Sequence, residues 1–253
     1  MKTSALRIFG TTVLLASTLS ACGGSPNPPG AGANDAGGSG AAAAATTSAV
    51  PTPTATPVRT YTQEELAALL GLLKDAQGNA LAVMPAIDLA ASLEQTRTAL
   101  AATTVEPAEC SDLALAGVAP SSANAAIAVG SSTDAASGAS TAVSMASGLD
   151  EAFLAQVQDM AGQLRKCATM SITAGAVQLS TDLTLLERVS VLPTAVAFRT
   201  DTTISDGRQQ STITVQAVQR GVLLSAVASG GKSEQDAIAR AGALLDSAAE
   251  LIK

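Results

Sequence analysis

The 253-residue chain carries 14 Lys and Arg against 21 Asp and Glu and no His, a formal net charge of −7. That balance argues against nucleic acid and anionic membrane surfaces as electrostatic partners. The missing His removes Ser-His-Asp and Cys-His triads and His-based zinc hydrolysis. With 2% aromatic residues and no Trp, the core must come from Ala, Val, Leu and Ile.

The N-terminus reads as an export signal. Lys2 and Arg7 make a positive start, and an apolar stretch from Ile8 to Leu19 follows. It is shorter than the ~20 residues that a bilayer span needs. Small residues Ser20 and Ala21 lead to Cys22, Gly23 and Gly24, a cleavage pattern. Leu19-Ser20-Ala21-Cys22 resembles the lipobox of bacterial lipoproteins. The resemblance implies a diacylglyceryl thioether on Cys22, cleavage after Ala21, and acylation of the new amine with a fatty acid such as palmitate. Residues 1–21 are then the signal, and acyl chains adding roughly 0.8 kcal/mol per buried CH₂ hold the rest at the membrane. Lys2 and Arg7 are the only charges in 1–21, so the remaining chain carries −9.

Residues 22–58 are almost all Gly, Ala, Ser, Thr, Pro and Asn, with Asp35 as the sole charge. Such a stretch buries too little apolar surface to offset the entropy of ordering, which predicts a disordered tether. Pro51, Pro53 and Pro57 alternate with Thr and Ala, which favours extended backbone near its end. Its Thr/Pro composition also suits O-glycosylation.

Residues 59–253 are long enough for one domain with a real core. Thr62 and Glu65 form a capping box, and Tyr61 and Leu66 a hydrophobic staple, for a helix whose apolar face is Leu66, Leu69, Leu70 and Leu73. Residues 79–88 read as a strand that Pro85 confines to an edge or cuts short. Helices are expected over 89–102 and 111–117, and strands over 123–130 and 139–146 around a polar loop at 131–138. Phe153, Leu154, Val157, Met160, Ala161 and Leu164 give a helix over 150–166.

The period then switches to that of strands: 168–175, 183–191, 194–204, 210–219 and 222–229. Ile213, Val215 and Ala217 alternate with Thr212, Thr214 and Gln216 as in a half-buried strand. Asp206-Gly207 and Arg220-Gly221 occupy hairpin positions. Ser233 and Asp236 start a last helix over 234–252, with Ile238, Ala241, Leu244, Leu245, Ala248, Leu251 and Ile252 as its stripe. Helices at both ends of an antiparallel meander describe an α+β sandwich with helices packed on the sheet.

Cys110 and Cys167 remain after lipidation of Cys22. Outside the cytoplasm paired thiols oxidise, so a Cys110–Cys167 bridge is expected, with two free thiols as the alternative. Two cysteines without His lack a metal ligand set, and neither metal nor cofactor is expected.

Signal, tether, the Thr62–Leu73 helix, the cysteine pair, the strand-rich third and the Ser233–Ile252 helix together resemble actinobacterial lipoproteins with a PknH-like extracellular sensor domain. The resemblance spans residues 59–253 and rests on layout. It implies a ligand-binding cleft over the sheet; members with two disulfides differ from this chain, which can form only one. No kinase domain is present, so signalling would need a separate partner.

Candidate chemistry is sparse. Ser229-Gly230-Gly231-Lys232-Ser233 offers a Ser/Lys pairing but fits a strand-to-helix loop with Ser233 as cap, and it lacks the first Gly of a phosphate loop. Glu64-Glu65 and Asp150-Glu151 are placed as helix-start acids. Arg199, Arg208 and Arg220 either gather at one end of the meander as an anion site or are solvated hairpin residues.

The expectation is a non-catalytic ligand-binding or sensor-type domain, lipid-anchored on the extracytoplasmic side of the cell membrane. The alternative is an interaction lipoprotein assisting an envelope complex. An unidentified envelope ligand or protein is the expected partner, and no catalytic residue is assigned.

Overall fold

A computed structural model describes residues 59–115 and 125–253; Cys22, the signal and the tether lie outside them. The described chain is an α+β fold around one antiparallel sheet of nine strands. Their order is β1 (Ala82–Val83), β3 (Ala126–Asp134), β4 (Ala139–Ser147), β9 (Val222–Ser229), β8 (Gln209–Gln219), β7 (Val196–Ile204), β6 (Val177–Leu186), β5 (Thr169–Ala174) and β2 (Thr103–Glu106). The order follows from tight hairpins. Arg220 (φ 48°) and Gly221 (φ 75°) both take the left-handed conformation between paired Gln219 and Val222. That is the two-residue turn whose twist matches its strands.

Helices cover both faces of the sheet. On one face lie α1 (Gln63–Leu70) and α6 (Glu234–Leu251). The Thr62 capping box forms as expected, and Ser233 caps α6 by accepting from the Asp236 N–H. Leu66, Leu70, Leu245 and Leu224, each fully buried, join Val143, Met145, Ile213 and Val215 in the first core. Tyr61 closes this layer: its N–H donates to Ser147 Oγ, and its hydroxyl meets the Lys253 backbone at 3.1 Å.

On the other face lie α4 (Glu151–Gln158) and α5 (Met160–Lys166). Asp150 caps α4 through the Phe153 N–H at 2.7 Å. Phe153, Val157, Met160 and Leu164 pack on Ala146, Leu223, Phe198 and Met170 as a second core. The Cys110–Cys167 disulfide is part of it and ties the 3-10 turn before α3 (Ser111–Leu115) to the end of α5.

Several boundaries differ from the sequence reading. The helix over 150–166 is two, broken at Asp159, which leaves helical geometry with ψ near 3°. The strand at 79–88 is only the two residues of β1, and α2 (Ala86–Ala101) begins directly after Pro85. β3 runs on through Asp134, so the loop at 131–138 reduces to its second half. The 183–191 strand is displaced: β6 begins at Val177, and residues 187–192 form a loop against α6. Strand β2, which pairs with β5, was not foreseen. Residues 116–124, including parts of the 111–117 helix and 123–130 strand, are not described.

Candidate ligand-binding face

The sequence-selected groups resolve as structural. Cys110 and Cys167 are bonded, with Cα atoms 5.6 Å apart. Glu65 completes the α1 cap, and its pKa is lowered by the Thr62 N–H and then by Arg59. Ser229 to Ser233 is a strand-to-helix loop. Gly230 (φ 61°) is required there because a Cβ would stand 2.3 Å from Gly138 O.

The three arginines do not converge. Arg208 and Arg220 lie in turns at opposite ends of the 11-residue β8, roughly 40 Å apart by strand rise. Arg199 lies within β7, with Nε 2.7 Å from Asp201 and Nη1 2.9 Å from Glu234. Its attraction to Asp201, and then to Glu234, raises its pKa. No anion site forms from this set.

Arg240, which sequence reasoning passed over, is buried on α6 and fully engaged. It donates to Asp236, to Thr141 Oγ1 and to the carbonyls of Ser140, Ser229 and Gly230. It lines a cavity of about 160 Å³ with Lys74, Asp75 and Ser247. Asp75 already accepts from Ser132, Asn79 and the Gln77 N–H. Arg240 and Asp75 are thus both committed to bonds within the fold.

The disulfide face of the sheet is different. Register places every Asp, Glu, Lys and Arg of the strands (Glu106, Asp134, Asp182, Arg199 and Asp201) on the α6 face. The disulfide face carries none of these, in a chain of net charge −7. Solvated sheet faces are normally charged or strongly polar. Here Val129, Ser144, Ser225 and Gln216 lie side by side across β3, β4, β9 and β8, with Ala142, Val227 and Thr214 as the next row. Ser144 and Ser225 are the small side chains of the first row, between Val129 and Gln216. Val129, Ser144, Ser225 and Val227 are half-buried.

Gln216 is 5% exposed, and its Nε2 lies 3.2 Å from Ser225 Oγ. Its Oε1 has no protein partner. Whichever way the amide is turned, one of its polar atoms is left over, and a buried unsatisfied amide costs about 1–3 kcal/mol. The other such atom among the described residues, Arg199 Nε, faces Asp201 off the hydrogen-bond direction and is compensated by charge. The half-buried strand expected over 210–219 is therefore buried on both sides in its middle: Ile213 and Val215 in the first core, Thr214 and Gln216 on the disulfide face.

No family model matches the chain, and no curated protein matches it in sequence. Two solved structures are similar to it. The extracellular domain of PknH from Mycobacterium tuberculosis is 13% identical, with 78% of this chain and 98% of that one covered and a TM-score of 0.49. An uncharacterised protein from Mycobacterium smegmatis is 14% identical, with 59% and 76% covered and a TM-score of 0.39. At this level of likeness neither neighbour tells what this chain binds.

Proposed function

We propose that residues 59–253 form a non-catalytic binding domain, displayed outside the cell by lipid on Cys22 and a tether. The observation that carries the binding reading is Gln216, a buried amide left half-satisfied on a sheet face without charge. A ligand donor or acceptor would complete it and remove that cost. Display outside the cell is supported by the export signal, the lipobox-like Leu19–Cys22 and the bonded cysteine pair, since disulfides persist in oxidising compartments. Among the described residues no helix is long and apolar enough to cross a membrane.

Two measurements test the reading. Intact mass of the protein from its native host is expected to show a chain starting at an acylated Cys22. A chain still starting at Met1, or one without fatty acid, contradicts the anchor. Melting of the mature protein against cell-wall fragments, neutral lipids and charged lipids is expected to show stabilisation by one class. A ligand at 100 times its Kd raises stability by about 2.7 kcal/mol, so a melting temperature unmoved by every class contradicts the binding reading. Recovery of a stoichiometric protein partner from membranes, with no small-molecule stabilisation, favours the interaction lipoprotein instead.

A further inference from the structure

The chemistry of this face narrows what it accepts. A phosphate or carboxylate ligand would call for Arg, Lys or a helix N-terminus, and an amine for Asp or Glu. The disulfide face of the strands has no charged side chain of either sign. A soluble sugar would call for an aromatic platform, and the only aromatic strand residue, Phe198, is buried in the second core. What the face does offer is apolar surface from half-buried Val129 and Val227, flanked by the hydroxyls of Ser144 and Ser225. The Gln216 amide is buried at its edge with one polar atom free.

Resting on the binding reading above, we infer that this face takes an uncharged amphiphile: an apolar body bearing a hydroxyl or amide that meets Gln216. The apolar body lies on Ser144 of β4 and on Ser225 and Val227 of β9. A hydroxyl both donates and accepts, so it satisfies the Gln216 amide in either orientation. A charged head would lose its hydration against a face that returns no counter-charge, which sets the preference for neutral heads.

The test uses two probes with the same acyl body, dioctanoylglycerol with a hydroxyl head and dioctanoyl phosphatidic acid with a phosphate. Calorimetric titration is run on the mature chain carrying Cys22→Ser, so that its own acyl groups cannot compete. The expected result is binding of the glyceride at least about tenfold tighter than the phosphatidic acid. Gln216→Met, which keeps the volume but loses the amide, is expected to weaken glyceride binding about tenfold. If that variant melts early, Val227→Phe places a ring over this part of the face from a half-buried position and is expected to abolish binding in a folded protein.

Phosphatidic acid binding as tightly as the glyceride overturns the neutral preference while leaving the binding reading in place. Glyceride binding untouched by both substitutions overturns the location. Failure of both probes, with stabilisation by another class in the melting screen, overturns the ligand class alone; failure of the screen as well removes the binding reading itself.

Discussion

Arg240 and Gln216 show how differently two buried polar residues can be treated. Arg240 has its side chain 4% exposed, yet its N–H groups meet Asp236, Thr141 and three carbonyls. It joins the start of α6 to the ends of β4 and β9. Arg240→Met leaves those carbonyls unpartnered, and a loss of about 3 kcal/mol in urea unfolding is expected. Gly242, two residues on, tests a competition of signs. Helix propensity alone favours Gly242→Ala by about 1 kcal/mol. A Cβ there would stand 2.0 Å from Val189 O, a backbone atom that must move. Overlap is expected to win, with a net loss of roughly 1–3 kcal/mol; an increase in stability would show that the 187–192 loop moves away from α6 freely.

At the scale of elements, what was legible followed local rules. The Thr62/Glu65 box, the Ser233 cap, the 222–229 strand and the α6 stripe are all present because each is specified by residues within a few positions of one another. The errors came from long-range packing. Val189, Val191 and Leu192 suggest a strand, but Asp246 of α6 accepts from the Ser190 hydroxyl and the Val191 N–H and holds them as a loop. Arg188 takes the left-handed conformation at φ 57° as the chain leaves β6. β2 has a single buried residue, Val105, so no period announces it. Gln216 read as a water-facing residue because alternation cannot tell that α4 packs over β8. The charge-free face was likewise illegible, since parity along each strand reveals it only once the register is known.

The disulfide belongs to this scale as well. It closes a separation of 57 residues, worth about 4 kcal/mol in the chain-entropy model. Both cysteines are buried in the second core. Replacing both with Ala is expected to lower unfolding stability by 2–4 kcal/mol, roughly the usual range, and an unchanged urea midpoint contradicts this.

For the whole molecule, pH response follows from composition and capping. There is no His, so the side chain that ordinarily titrates between pH 5 and 8 is missing. Glu65 is lowered by the Thr62 N–H, Asp206 by the Arg208 N–H, and Asp134 by the Ser137 hydroxyl. At Asp75 burial acts upward, but the bonds from Ser132, Asn79 and Gln77 together outweigh it. Each folded pKa lies below its unfolded value. Their stabilisation is therefore present above the ordinary carboxylate pKa of about 4 and is lost as pH falls through the depressed folded values. Stability is expected to be flat from about pH 6 to 8 and to decline below about pH 4. A midpoint that moves between pH 6 and 8 contradicts this.

The claim that the uncharged sheet face is the binding surface is tested most directly by NMR. The isotope-labelled mature protein would be titrated with neutral lipids extracted from its own host's envelope. Shifts are predicted to concentrate at Val129, Ala142, Ser225, Val227 and the Gln216 side-chain amide. Shifts gathered instead on the opposite face, at Ser180, Asp182 and Asp201, or no shifts at all, would contradict it.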